Sequence, residues 1–231
     1  MEAAFPPRHQ GRGFRAGNLM KQIVTNILLC LVLGLCSALF AAPAHAADFS
    51  QAQLKLMSTF LSNFTELGFM DFDVKKDGND DLLHLGDDPS NPDLIRFGIW
   101  HNYINNAKSR IKPCPIKGCE HGSLVIDAKF VAESVKKYFD IDLKHRSVDQ
   151  SDPPYIFDGK LYHFEGADGE AVYYAEVKQA TQENGLVRMT GDIYNAEDKT
   201  DRPSTFVATA KPYKWNGKDT WAILSMKTTP R

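Results

Sequence analysis

Asx-Gly dipeptides punctuate the last third of this sequence, and three of the four, Asp158-Gly159, Asn184-Gly185 and Asn216-Gly217, carry the argument. Each lies between runs of β-branched and aromatic residues. Both central residues of a type I′ turn need φ > 0, which Asn, Asp and Gly tolerate best, so the pattern is a strong hairpin signal. It assigns Tyr155 to Thr228 to an antiparallel meander. Alternation agrees: Val187, Met189, Gly191 and Ile193 face one way and Arg188, Thr190 and Asp192 the other, while Ala222, Leu224 and Met226 oppose Ile223, Ser225 and Lys227. One face of the sheet is then packed and the other wet, which calls for helices on one side.

The N-terminal part of the chain reads differently. Met20-Lys21-Gln22 leads into an apolar run from Ile27 to Ala42 and then Ala44-His45-Ala46. A basic start, an apolar core and small residues at −3 and −1 describe a secretory signal peptide, with cleavage expected after Ala46. The run is shorter than the ~20 residues that span a bilayer, so an uncleaved anchor ranks second. Cys30 and Cys36 read as small apolar residues of that segment, because Leu35 precedes Cys36 where a lipid-acceptor Cys wants a small neighbour. Residues 1–19 carry no apolar periodicity and read as a mis-assigned start or an extended basic region. Residues 47–231 are then one domain, periplasmic or secreted, and long enough for its own core. The formal net charge of the whole chain is −2. Four bases, Arg8, Arg12, Arg15 and Lys21, leave with residues 1–46, so the domain is more acidic still and is not an electrostatic nucleic-acid binder. Contact with a membrane is expected only through an uncleaved leader.

Within the domain, Ser50 caps a helix over about Gln51 to Leu67, with Leu54, Met57, Phe60, Leu61 and Phe64 as its stripe and Gly68 as its stop. Asn91 and Pro92 open a second, over about Pro92 to Lys108. Asp127 caps a third, over about Ala128 to Phe139. Between the first two lies an acidic loop rich in turn residues. Asp73, Asp77, Gly78 and Asp81 fall at calcium-loop positions, but Lys75 occupies the third and His84 the twelfth, where a Glu is needed. The loop therefore reads as solvated rather than ion-binding.

Cys114 and Cys119 are the remaining cysteines. An even pair in an exported chain reads as a disulfide closing a short loop. Half a zinc site with His121 is the weaker reading, since zinc wants four ligands and no second cysteine pair exists. No metal and no cofactor is therefore expected.

Catalytic patterns are absent: no His-Glu-x-x-His, no nucleophile elbow and no phosphate loop occur. His101, between aromatics on the second helix, and His163 in the meander are the candidate acid–base groups, with Glu165, Asp168, Glu170 and Glu176 as neighbouring carboxylates. Trp100, His101, Tyr103, Tyr162 and Tyr173 are the candidate ligand-binding residues, aromatics with polar tips that line a pocket or simply pack.

The order of helices Gln51–Leu67, Pro92–Lys108 and Ala128–Phe139, followed by strands between Tyr155 and Met226, resembles the NTF2-like or cystatin-like α+β arrangement. That resemblance implies three N-terminal helices on one face of a curved antiparallel meander of five to six strands. It implies no catalytic residue, because that superfamily holds enzymes, binding modules and assembly domains alike. The expected function is an exported binding or interaction module for a small molecule, peptide or envelope protein. An envelope hydrolase using His101 or His163 is the alternative.

Overall fold

A computed structural model of the protein describes residues 49–75, 83–105, 109–151, 153–166 and 172–231. The expected leader and the residues before it lie outside these, as do Asp77, Gly78, Asp81, Asp168 and Glu170. Among the described residues no helix is long and apolar enough to cross a membrane.

The three helices start where their caps require. Helix α1, Gln51–Thr65, opens with a reciprocal box in which the Gln53 amide donates to Ser50 Oγ and the Ser50 amide to Gln53 Oε1. It ends at Thr65 rather than Leu67, and Gly68 takes φ +72 as the chain turns away. Helix α2, Pro92–Ile104, is capped by Asn91, whose Oδ1 accepts from the Asp93 amide at 2.8 Å. Helix α3, Ala128–Phe139, is capped by Asp127, and Asp140 closes it in the left-handed conformation at φ 57.

The expected single sheet is corrected by the strands. There are ten among the described residues, in two sheets, and helices and strands interleave along the chain. The larger sheet contains β1 (Phe72–Asp73), β2 (Leu83–His84), β7 (Tyr173–Glu183), β8 (Leu186–Asn195), β9 (Ser204–Trp215) and β10 (Lys218–Pro230), in the order β2-β1-β10-β9-β8-β7. It is mixed, because β1 and β2 run parallel. The smaller sheet contains β3 (Ile111–Pro113), β4 (Leu124–Asp127), β5 (Ile156–Phe157) and β6 (Leu161–Phe164), in the order β3-β4-β6-β5, and is antiparallel throughout. The hairpin around Asp158-Gly159 thus leaves the meander. Strand β4 competes for it and wins: Val125 pairs with His163 and Ile126 with Tyr162, burying Ile126, Tyr162 and Phe164 together.

The meander proper follows the dipeptide signals. Asn184 and Gly185 have φ 51 and 77, and Asn216 and Gly217 have φ 49 and 77, as type I′ turns require. Alternation holds in β8 but breaks in β10. A bulge between Ile223 and Ser225 lets both Ile223 and Met226 enter the core, and the bulged Leu224 carbonyl accepts from Val74 at 2.7 Å. Strand β7 is an edge, and α1 covers it. Ser58 Oγ accepts from the Val177 amide at 2.9 Å, Ser62 Oγ from the Ala175 amide at 3.1 Å, and Thr65 Oγ1 donates to the Tyr173 carbonyl at 2.7 Å. Helix hydroxyls therefore satisfy ladder groups that would otherwise invite a foreign strand.

Two cores result. One joins α1, the large sheet and the inner faces of α2 and α3 around Phe64, Phe72, Phe97 and Phe139. The other joins Ile95, Ile99 and Val131 of the same two helices to the small sheet. Helices α2 and α3 thus serve both sheets, which is why α2 carries apolar residues on more than one face.

Candidate metal centre

Strand alternation explains one group of ligand-type side chains among the described residues. Tyr162 and Phe164 point into the core of the small sheet, so His163 between them points to the opposite face. The long β3–β4 connection folds over that face, and His163 is left 3% exposed. The connection is held at both ends: the Cys114 amide donates to the Ser123 carbonyl at 2.8 Å, and Glu165 accepts from the Ser123 amide and hydroxyl at 2.8 and 2.7 Å. Gly122 sits at φ +120 where a Cβ would fall 2.2 Å from the Phe164 carbonyl carbon, so only glycine lets the loop approach β6 this closely.

Cys114 Sγ and Cys119 Sγ each lie 3.5 Å from His163 Nδ1, and the three ligand atoms fall within 4.8 Å of one another. Both cysteines are free thiols in this structure. The two sulfurs are not at bonding distance here; they form a three-membered group with an imidazole, and that imidazole is His163, not His121. Sequence spacing pointed to His121 because it is near in the chain. His163 arrives through the β4–β6 pairing, which spacing does not reveal.

The spacing of the group has a chemical meaning. A tetrahedral ion with a metal–sulfur bond of about 2.3 Å and a metal–nitrogen bond of about 2.0–2.1 Å separates sulfur from nitrogen by about 3.6 Å. A disulfide needs the sulfurs at about 2.05 Å and has no use for a nitrogen equidistant from both.

Hydrogen bonds prepare the donors. His163 Nε2 lies 3.1 Å from Asp158 Oδ2. A carboxylate there fixes the proton on Nε2 and leaves the Nδ1 lone pair facing the sulfurs, as a ligating imidazole needs. Asp158 is itself held, because Oδ1 accepts from the Leu161 amide at 2.6 Å and the Lys160 amide at 2.8 Å. The Leu161 amide first, with His163 and the Lys160 amide adding to it against some desolvation, holds the Asp158 carboxyl at about 2. Asp158 was legible as a turn residue; its second role was not.

The sulfurs differ. The amide of His121 donates to Cys119 and, with Cys114 and His163 close by, pulls this thiol below the ordinary range. Desolvation outweighs the Ile116 amide at Cys114 and pushes that thiol up. Each sulfur thus accepts an amide two residues further on, which favours thiolate over thiol. Desolvation works against charging His163, but Asp158 and Cys119 outweigh it and raise its proton affinity.

Of the other expected site residues, Trp100, Tyr103 and Tyr162 share the core of the small sheet, while Tyr173 and His101 lie apart from them. Trp100 donates through Nε1 to Tyr155 Oη at 2.7 Å and packs edge-on against Tyr103 and Phe164. Tyr162 is fully buried, with Oη 3.1 Å from His145 Nδ1. Tyr173 belongs to β7 in the large sheet and offers its carbonyl to Thr65. His101 stacks parallel on Phe97 and edge-on against Tyr138, and burial lowers its proton affinity to about 4. It lines a separate cleft that also holds one carboxylate, Glu133.

Comparison with known protein families, with curated proteins and with solved structures finds no match.

Proposed function

We propose that this protein is a binding module whose ligand is a zinc-type metal ion, held by Cys114, Cys119 and His163 and supported from behind by Asp158. The observation that carries the reading is the pair of equal 3.5 Å sulfur–nitrogen distances around one His163 Nδ1. Two thiolates and one imidazole suit zinc or another soft to borderline ion rather than calcium or magnesium, which take oxygen donors. With three protein ligands the fourth position goes to water, a small molecule or a partner's side chain. The sequence pattern of an exported chain fits this reading, since a bound ion protects paired thiols from oxidation.

Carboxylate, imidazole and thiol in line are also what a cysteine nucleophile uses. The second sulfur at the same distance from the same nitrogen favours the metal, because a nucleophile needs only one.

Titration of the reduced protein with Co²⁺ tests the proposal. One equivalent should produce sulfur-to-cobalt charge-transfer absorption, which Zn²⁺ then displaces. Cys114→Ser, Cys119→Ser and His163→Ala should each abolish it. If the reduced, folded protein gives no such absorption, the proposal fails.

A further inference from the structure

The second candidate site is the cleft beside His101, which encloses about 370 Å³ between the end of α2, the outer face of α3 and Trp215 of β9. Its floor is Asn102, 2% exposed. The Asn102 amide group donates to the Gly98 carbonyl at 2.7 Å, to Ser134 Oγ at 2.9 Å and to the Phe130 carbonyl at 3.2 Å, so it braces α2 against α3. Its oxygen accepts from Arg110 Nη1 at 3.1 Å. Arg110 also lies over the Phe130 ring at 4.5 Å, with Glu133 at 3.5 Å on the exposed side. The guanidinium is thus fixed before any ligand arrives.

Lys137 faces the same space. Its Nζ lies over the Tyr138 ring at 4.5 Å and donates to Tyr138 Oη at 3.1 Å, and among the described residues no carboxylate pairs with it. Burial, with Arg110 adding repulsion, lowers its proton affinity. His101 contributes a third donor. Its Nδ1 lies 3.1 Å from Asn105 Nδ2, which can only donate, so the proton of the neutral ring sits on Nε2. The Asn105 amide also serves the half-buried Glu66 carboxyl. The lining therefore offers two cations and a neutral N–H against one ion-paired carboxylate, beside an indole ring.

We infer that this cleft binds a small organic carboxylate, with Arg110 and Lys137 on the carboxylate and Trp215 against the apolar body. A monoanion matches the single positive charge left after Glu133 is counted, and it relieves the repulsion between the two cations at once. Desolvated, charge-assisted bonds of this kind are the strong ones, and a small cleft with a few convergent polar groups and an aromatic wall is how small-molecule sites are built.

Benzoate is the probe, with benzamide as its neutral analogue and inorganic phosphate as the competing anion class. Calorimetry on the full chain should show saturable benzoate binding, with the Trp215 indole resonance shifting in step. Benzamide should bind at least about tenfold more weakly, the loss expected when a charge-assisted bond is replaced. Lys137→Met should cost a similar factor while Lys137→Arg retains binding, and the Cys114→Ser/Cys119→Ser double variant should bind as well as the parent. Equal binding of benzoate and benzamide, or binding of phosphate without benzoate, overturns the inference. So does full retention in Lys137→Met. Loss in the cysteine variant overturns it too, because binding would then belong to the metal centre and not to this cleft.

Discussion

Asp158 Oδ2 lies 3.1 Å from Nε2 of His163, on the edge of the ring opposite the nitrogen that faces both cysteine sulfurs. This one contact fixes the tautomer and the orientation of a ligand that no covalent geometry would otherwise hold. Asp158→Asn keeps the Oδ1 acceptor for the Leu161 and Lys160 amides but removes the charge from the imidazole. Supporting residues of this kind are worth about 10–100-fold in metal affinity. Zinc affinity of Asp158→Asn, measured by competition against a chromophoric chelator, should fall within that range with the far-ultraviolet circular dichroism unchanged. An unchanged affinity would remove Asp158 from the centre.

The same carboxylate makes a pH prediction. Its folded-state pKa of about 2 lies below the usual value near 3.9, so it contributes stability that is present above about pH 4 and is lost as pH falls toward about 2. The side chain is 42% exposed, so solvent screening reduces the effect. Urea unfolding of metal-free protein and of Asp158→Asn should give curves that differ at pH 6 and converge near pH 2. His163 titrates with the opposite sign: its raised pKa contributes stability below about pH 6.5 that fades as pH rises through the folded value.

Metal removal should be visible in the melting temperature. An ion that binds the folded state and not the unfolded chain adds about 2.7 kcal/mol when its free concentration is 100 times its dissociation constant. Differential scanning calorimetry of reduced protein should show a lower transition with EDTA than with zinc. His163→Ala should show the lower transition in both conditions.

Some of this architecture could be read directly from the chain, and the boundary between what could and what could not is physical. Local signals survived: Asn184-Gly185 and Asn216-Gly217 are at positive φ, and Ser50, Asn91 and Asp127 cap the helices that follow them. These depend on a few consecutive residues. The expected single sheet did not survive, because Ile156–Phe164 has the same local pattern whether it pairs with β7 or β4, and only the burial of Ile126 against Tyr162 and Phe164 decides it. The same non-local pairing brings His163 to the cysteines. One clue was available: an isolated His between Tyr162 and Phe164 must face away from an aromatic core, and something has to cover it.

The edge of the large sheet offers a test of what holds α1 in place. Ser58 Oγ is the acceptor for the Val177 amide at 2.9 Å and itself donates to the Leu54 carbonyl at 2.8 Å. Ser58→Ala leaves that amide without its partner, at a cost of about 1–3 kcal/mol where water cannot replace it. Ser58→Ala should lower the urea midpoint with an unchanged slope, and hydrogen exchange at Val177 should quicken more than at residues of β9.

Gly122 makes the strictest demand on the loop that carries both thiols. At φ +120 its missing Cβ would lie 2.2 Å from the Phe164 carbonyl carbon and 2.7 Å from the Glu165 amide nitrogen. These are backbone atoms of β6 and its continuation and cannot rotate aside, so Gly122→Ala has to lift the loop from the strand. Lifting it separates Cys114 and Cys119 from His163, which stays in β6, paired with Val125. Helix α1 and the large sheet lie away from the loop, and α2 and α3 pack on the opposite, Tyr162–Phe164 face of the small sheet, so both cores keep their packing. Gly122→Ala should therefore lose zinc binding almost as completely as His163→Ala while the reduced, metal-free protein still unfolds cooperatively. The comparison is made by chelator competition on one aliquot and urea unfolding on another. A variant that binds zinc normally would mean that the loop reaches the metal without resting on β6, and the centre would have to be built on some other support.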